Sequence, residues 1–275
     1  MKILAGIVLY NPSYERLKAN LGTVKGQVDE VVFIANSELS PEVEKLISAH
    51  TVIYNGENLG VAHALNQVFE MATKGGYDWV LTLDQDSVCS KKLISIYKDY
   101  VNLPDAGIIT CSVADRNFGV EDFYKNQKSE IVEVEICITS AALNSVKAYL
   151  DTAGFDDNLF IDSVDFDYCF KLLKKGYKIY RTKHIGLLQE IGEGGRIIRL
   201  PFKSFTFYSH SAFRYFYIGR NEVILNKRYG KEFKYYAPLR SFARVVRDFL
   251  LLLAFEDSKF EKAKAYAKGV FKALF

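Results

Sequence analysis

The residues of this 275-residue chain that can do chemistry are mostly acidic. Asp84 and Asp86 stand in LTLDQDS, directly after the apolar run Trp79 to Leu83. Two carboxylates on alternate residues of a strand-to-loop turn can converge on one divalent cation, and such hard oxygen ligands favour Mg²⁺ or Mn²⁺. A second pair, Asp165 and Asp167, lies in LFIDSVDFDYCFKLLKKGYKI, where Val164, Cys169, Leu172 and Leu173 follow a helical pattern. Both aspartates then fall in the first helical turn, where the helix dipole stabilises negative charge. Read as structure, this is a charged helix start capped by Asp162 or Ser163. Read as chemistry, an ionised carboxylate there is a general base for an attacking hydroxyl. His184 is a candidate third metal ligand, whereas His50, His63 and His210 have no partner visible in the sequence. In FRYFYIGRNEVIL, Arg214 and Arg220 are six residues apart and so occupy different parts of one helix surface. An arginine there either grips a diphosphate through its planar fork or belongs to a solvated basic face.

A carboxylate pair at a binding rim needs a strand that ends beneath it. Ile3 to Leu9, Val31 to Ala35, Thr51 to Tyr54 and Trp79 to Leu83 read as buried parallel strands, each closed by a polar turn. Between them Leu17, Leu21 and Val24, then Val43, Leu46 and Ile47, then Val61, Leu65, Val68, Phe69 and Ala72 trace three helices. Strands alternating with helices predict βαβ units, hence an α/β fold whose ligands bind beyond the carboxyl ends of the strands. Further strands are expected at Gly107 to Cys111, at Ile131 to Ile138 as an antiparallel or edge strand, and at Tyr177 to Arg181, with a helix from 163 to 175. Residues 191 to 206, with three glycines and Pro201, read as a loop able to close over a ligand. Three helical patterns, at 211–229, 238–255 and 258–274, end the chain. No G-x-G-x-x-G follows the first strand, and neither a P-loop nor a G-x-S-x-G elbow occurs, which removes the main support for those chemistries.

The net charge of +3 provides no field for nucleic acid, and no nucleic-acid partner is expected. The surplus is local: residues 240–275 carry +4 and residues 1–239 carry −1. On helical wheels Arg240, Arg244 and Arg247 oppose Phe242, Val245, Phe249 and Leu252, and Lys262, Lys264, Lys268 and Lys272 lie away from Phe260, Val270, Phe271 and Leu274. Such basic amphipathic helices fit an anionic membrane surface; equally, their apolar faces fit the catalytic domain or a second subunit in a homodimer. Cys89, Cys111, Cys137 and Cys169 have no metal-site spacing and read as buried thiols of a reduced compartment. The start MKILAGIVLYNP lacks the features of a signal peptide, and the longest later apolar run, Phe249 to Phe255, is too short to span a bilayer. The expected location is cytoplasmic, with the inner face of the cell membrane as a peripheral site.

Taken together, LYNP, NLGVAHALNQ, LTLDQDS, FIDSVDFDYCFKLLKKGYKI and HSAFRYFYIGRNEVIL resemble family 2 glycosyltransferases of the GT-A fold, nearest to bacterial rhamnosyltransferases of cell-surface polysaccharide synthesis. The resemblance covers about residues 1–230, leaving 231–275 as a C-terminal pair of basic amphipathic helices. It implies a mostly parallel, Rossmann-like sheet flanked by helices, a nucleotide-sugar donor and a lipid-linked saccharide acceptor. It also implies that Val8, Tyr10, Asn11 and Asn36 line the base and ribose pocket, with Asn58, Gly60 and Ala62 nearby. Asp84 would touch ribose or metal, Asp86 and His184 would hold an Mn²⁺ or Mg²⁺ on the diphosphate, Arg220 would offset its charge, and Asp165 would be the catalytic base. Two positions depart from the family: Ala35-Asn36 replaces a strand-end aspartate, and Val164 replaces the acid before Asp165. The implied reaction is inverting transfer, with L-rhamnose from dTDP-rhamnose as the expected donor. UDP-galactose or UDP-galactofuranose is the alternative donor, and a non-catalytic carbohydrate-binding module the alternative class.

Overall fold

The run Ile3–Leu9 forms β1, and the alternation after it builds α1 (Tyr14–Val24), β2 (Glu30–Ala35), α2 (Pro41–Ile47), β3 (Thr51–Tyr54), α3 (Val61–Lys74) and β4 (Trp79–Asp84). The structure, a computed structural model, describes residues 1–116, 119–120, 122–189, 195–200 and 203–275. β3, β2, β1 and β4 lie side by side in that order, all parallel. β1, β2 and β4 are nearly buried throughout, which is why they read as continuous rather than alternating apolar runs. Local chemistry sets the helix starts: Ser40 accepts from the Val43 N–H at 3.4 Å, with Pro41 opening α2.

The chain continues through β5 (Val88–Cys89), α4 (Leu93–Lys98), β6 (Ala106–Asp115), β7 (Gly119–Val120), α5 (Asp122–Lys125), β8 (Ile131–Val134), β9 (Ala142–Ser145), α6 (Val146–Asp151), α7 (Val164–Lys174) and β10 (Lys178–Gln189). The sheet runs β3-β2-β1-β4-β9-β6-β10-β5, with β7 on β6 and β8 on β10. β9 is antiparallel to both β4 and β6, so the sheet is parallel over four strands and mixed beyond them. β8 is the expected antiparallel strand. β10 is longer than its sequence pattern suggests, because its register shifts between Arg181 and Ile185 break the apolar alternation.

Residues 1–158 and 165–190 form one unit; residues 159–164 and 191–275 form a second. α8 (Ala212–Tyr229) groups with α9 (Pro238–Phe255) and α10 (Lys259–Leu274), because α8 and α10 meet at glycines. A Cβ on Gly269 would stand 2.0 Å from the Phe216 carbonyl oxygen, and one on Gly219 would stand 2.7 Å from that of Tyr266. Tyr215, Leu252, Ala263 and Tyr266 form this unit's core, with Val245, Phe249 and Val270 packed on it. Part of the expected loop at 191–206 is instead an antiparallel hairpin, β11 (Gly195–Leu200) with β12 (Lys203–Tyr208). Ile197, Ile198, Phe205 and Phe207 are β-formers whose signal the glycines obscured. Residues 191–194 and 201–202 of that expectation lie outside the described residues. No helix among the described residues is long and apolar enough to cross a membrane.

Candidate active site

The parallel strands end in register. Val8 pairs with Ile34 of β2 on one side and Asp84 of β4 on the other, and the Asn36 N–H donates to the Leu9 carbonyl at 2.8 Å. Tyr10, Asn36 and Gln85 therefore share one rim. Gln85 clasps Tyr10: its Oε1 accepts from the Tyr10 N–H at 2.8 Å and its Nε2 donates to the Tyr10 carbonyl at 3.0 Å. The Tyr10 residue is half-exposed. Asn11 takes a left-handed φ of 48° and donates its N–H to Ser37 Oγ at 2.8 Å.

Asn36 is buried inside a chain of amides. Its Nδ2 donates to the Gly60 carbonyl at 3.1 Å, and its Oδ1 accepts from Asn55 Nδ2 at 2.7 Å. Asn55 and Gln67 exchange hydrogen bonds of 3.0 and 2.8 Å. Asn58 Oδ1 accepts from the Gly60 N–H at 3.0 Å, and Gly60, at φ 87°, turns the chain into α3 in a conformation that favours glycine. Ala62 is fully buried, so it packs α3 rather than facing the rim. Val8, Tyr10, Asn11, Asn36, Asn58 and Gly60 stand at or next to these strand ends.

Asp84 is exposed at the end of β4 and Asp86 half-exposed two residues later. The turn between them is held from below: the Asp84 N–H donates to Ser140 Oγ at 3.1 Å, its carbonyl accepts from Asn20 Nδ2 at 2.6 Å and from the Ser87 N–H at 3.2 Å. Arg16 stands 3.7 Å from the Asp86 carboxylate. A magnesium-like cation takes one or two carboxylates and fills its shell with phosphate oxygens and water, so two carboxylates held on one firm turn fit it. Among the described residues no three His, Cys, Asp or Glu side chains converge as a preformed cage.

The structure does not bring His184 to this pair. β5 pairs antiparallel with β10 through Cys89 with Leu187 and Val88 with Leu188, so the ladder carries His184 toward Lys92 and away from Asp86. Burial and then the Lys92 charge lower the His184 pKa. Its buried Nε2 has no hydrogen-bond partner among the described residues.

Asp165 and Asp167 open α7 as expected, with different surroundings. Asp165 is half-buried, and its Oδ1 accepts from the Phe166 N–H at 2.9 Å. Asp167 is fully buried and pairs with Lys171 Nζ at 2.9 Å, while Lys171 also donates to the Gly154 carbonyl at 2.9 Å. Asp165 is thus the more accessible of the two carboxylates, and Asp167 is tied to Lys171 one turn along the helix. Cys89, Cys111 and Cys169 are buried and free, as expected; Cys137 is half-buried with its Sγ 3.8 Å from that of Cys169. His63, without a visible partner in sequence, meets Asp157 at 2.8 Å.

Residues 5–177 match the family described as Glycosyl transferase family 2. The chain belongs to that family. Over 244 residues it is 27% identical to the dTDP-rhamnosyl transferase RfbF of Shigella flexneri, covering 82% of this chain and 80% of the relative. The crystal structure of S. aureus TarS superposes with a TM-score of 0.56 at 13% identity, over 82% of this chain, and shows the same fold. The chain spans 40% of the length of that structure. The protein is thus a glycosyltransferase with the α/β GT-A architecture, and its family implies a nucleotide-sugar donor and a saccharide acceptor.

In the second unit of this glycosyltransferase, Arg220 donates from Nε to Asn221 Oδ1 at 2.9 Å and from a terminal nitrogen to the Leu159 carbonyl at 3.3 Å, and its guanidinium lies 4.7 Å from the Tyr217 ring. Arg214 grips the Asp162 carboxylate at 2.7 and 3.3 Å. The sequence assigned no part to Gln85, Asn55, Gln67 or Asn221. The amides carry no periodicity, so only their mutual geometry reveals them.

Proposed function

We propose that this chain transfers L-rhamnose, with inversion, from dTDP-L-rhamnose to a hydroxyl of a growing, lipid-linked cell-surface polysaccharide. The observation that carries the reading is the firm Asp84–Asp86 turn in register with the Tyr10 and Asn36 rim, and the likeness to RfbF supports the donor. Tyr10 and the amides around Asn36 hold the nucleotide, and Asp84 and Asp86 would hold an Mn²⁺ or Mg²⁺ ion. When bound, that ion offsets the negative charge that builds on the departing diphosphate. Asp165 takes the proton of the acceptor hydroxyl, the oxygen bonds to the anomeric carbon, and the bond from that carbon to the diphosphate breaks with its electron pair leaving on the nucleotide.

The acceptor lipid is proposed to be met at a membrane surface. Leu239, Phe242, Val246 and Leu250 form an exposed stripe along α9, beside Arg240 and Arg247, and this combination suits anionic lipid. Val245, Phe249 and Leu252 face the core of the second unit, whereas Phe242 is exposed. Incubation with dTDP-L-rhamnose, UDP-galactose and UDP-galactofuranose, followed by nucleotide release and NMR of the new linkage, tests the donor. Turnover of dTDP-L-rhamnose with inverted configuration is expected; turnover of a UDP-sugar alone overturns the rhamnose assignment.

A further inference from the structure

The chain enters α7 through an unusual approach. Phe160, Asp162 and Ser163 all have left-handed φ, at 64°, 62° and 61°. Such a cluster of non-glycine residues persists only where the surroundings over-determine it. The surroundings are supplied by Asn221 of α8, which is fully buried. Its Nδ2 donates to the carbonyls of Leu159 at 3.0 Å, Ile161 at 2.9 Å and Asp162 at 2.8 Å. An amide has two N–H bonds, so three acceptors require one to be shared. Its Oδ1, held by Arg220, fixes which way the amide faces. Arg214 takes the Asp162 side chain, and the Phe160 ring stacks on Tyr217 at 5.1 Å. No other residue type reproduces this clamp. Aspartate cannot donate, alanine leaves three carbonyls without it, and glutamine is one methylene too long.

We propose that Asn221 is a positioning residue: by clamping the left-handed turn 159–163 it fixes where α7 begins, and so where Asp165 presents its carboxylate. This inference rests on the reading of Asp165 as the base. The clamp itself does not. A displacement of about 1 Å at a catalytic group costs about 100-fold in rate, so loss of the clamp is expected in turnover rather than in donor binding.

The test combines two readouts on the full chain. In Asn221→Ala, amide exchange across 159–166 should quicken at least tenfold, with kcat falling 10- to 100-fold and donor KM staying within twofold. On an Asp165→Asn background the same substitution should add less than threefold, because both changes remove one function. Arg214→Gln, a milder and more exposed change, should quicken exchange in the same segment and lower kcat about threefold, and it serves if Asn221→Ala fails to fold. Unchanged exchange in both variants refutes the clamp. Faster exchange with unchanged kcat, or losses that multiply on the Asp165→Asn background, refutes the positioning role. Wild type that turns over no nucleotide sugar removes the transferase reading and the positioning role with it, while exchange still decides the clamp.

Discussion

Gln85, between the two carboxylates of the Asp84–Asp86 turn, is bound at both ends to the main chain of Tyr10, accepting at 2.8 Å and donating at 3.0 Å. The middle residue of the motif is therefore a brace that ties the Asp84–Asp86 turn to the chain leaving β1. Gln85→Ala removes both hydrogen bonds, each worth about 1 kcal/mol. Nucleotide affinity should fall about tenfold by calorimetry, with Tm lowered by only a few degrees. Unchanged affinity would reduce Gln85 to a surface contact.

Asp165 and Asp167 should separate cleanly. Asp165→Asn is expected to keep nucleotide binding and lose about 100- to 10,000-fold in turnover, the range of a general base. Near-normal turnover would remove Asp165 from that role. Asp167→Asn takes from the half-buried Lys171 its buried charge partner, and should cost about 2 kcal/mol in denaturant unfolding while changing kcat little.

The second unit carries a pH dependence of its own. Glu256 is buried; burial alone would raise its pKa, but Lys262, Tyr215, Ser209 and the His210 N–H lower it from 4.5 to about 2. A carboxyl lowered on folding adds stability above its unfolded value, and that stability is lost as the pH falls through the folded one. The Tm gap between wild type and Glu256→Gln should be full at pH 7 and shrink between pH 4.5 and 2. A gap unchanged at pH 2 would contradict the ionised cluster.

The exposed stripe on α9 gives a direct pelleting test. Wild type should sediment with vesicles containing phosphatidylglycerol, and should be released by high salt. Replacing Leu239, Phe242, Val246 and Leu250 by Ser should abolish sedimentation at unchanged Tm. Equal pelleting of the two proteins, or a wild-type dimer that the substitutions dissociate, would assign the stripe to another partner.

The first half of the fold was readable because β1 to β4 are apolar runs separated by helices of clear period, and the strand-end position of Asp84 followed from that pattern. The place of His184 is not legible in the sequence, for a physical reason. Its place depends on the antiparallel register of β5, a two-residue strand with no periodicity, and that register carries it toward Lys92. The α8 grouping was hidden in the same way: Gly219 and Gly269 are ordinary helix residues until their close approach is seen. Asn221 is one polar residue among many in sequence, and only its three carbonyl partners reveal its work.

The central claim is that a nucleotide diphosphate binds at the rim through a cation held by Asp86. A thermal-shift series with dTDP, UDP, GDP and ADP, each with and without Mn²⁺, on wild type and Asp86→Ala, tests it most directly. The account predicts stabilisation by dTDP that requires Mn²⁺ and disappears in Asp86→Ala. No shift from any nucleotide, or an equal shift without Mn²⁺ and without Asp86, would contradict it.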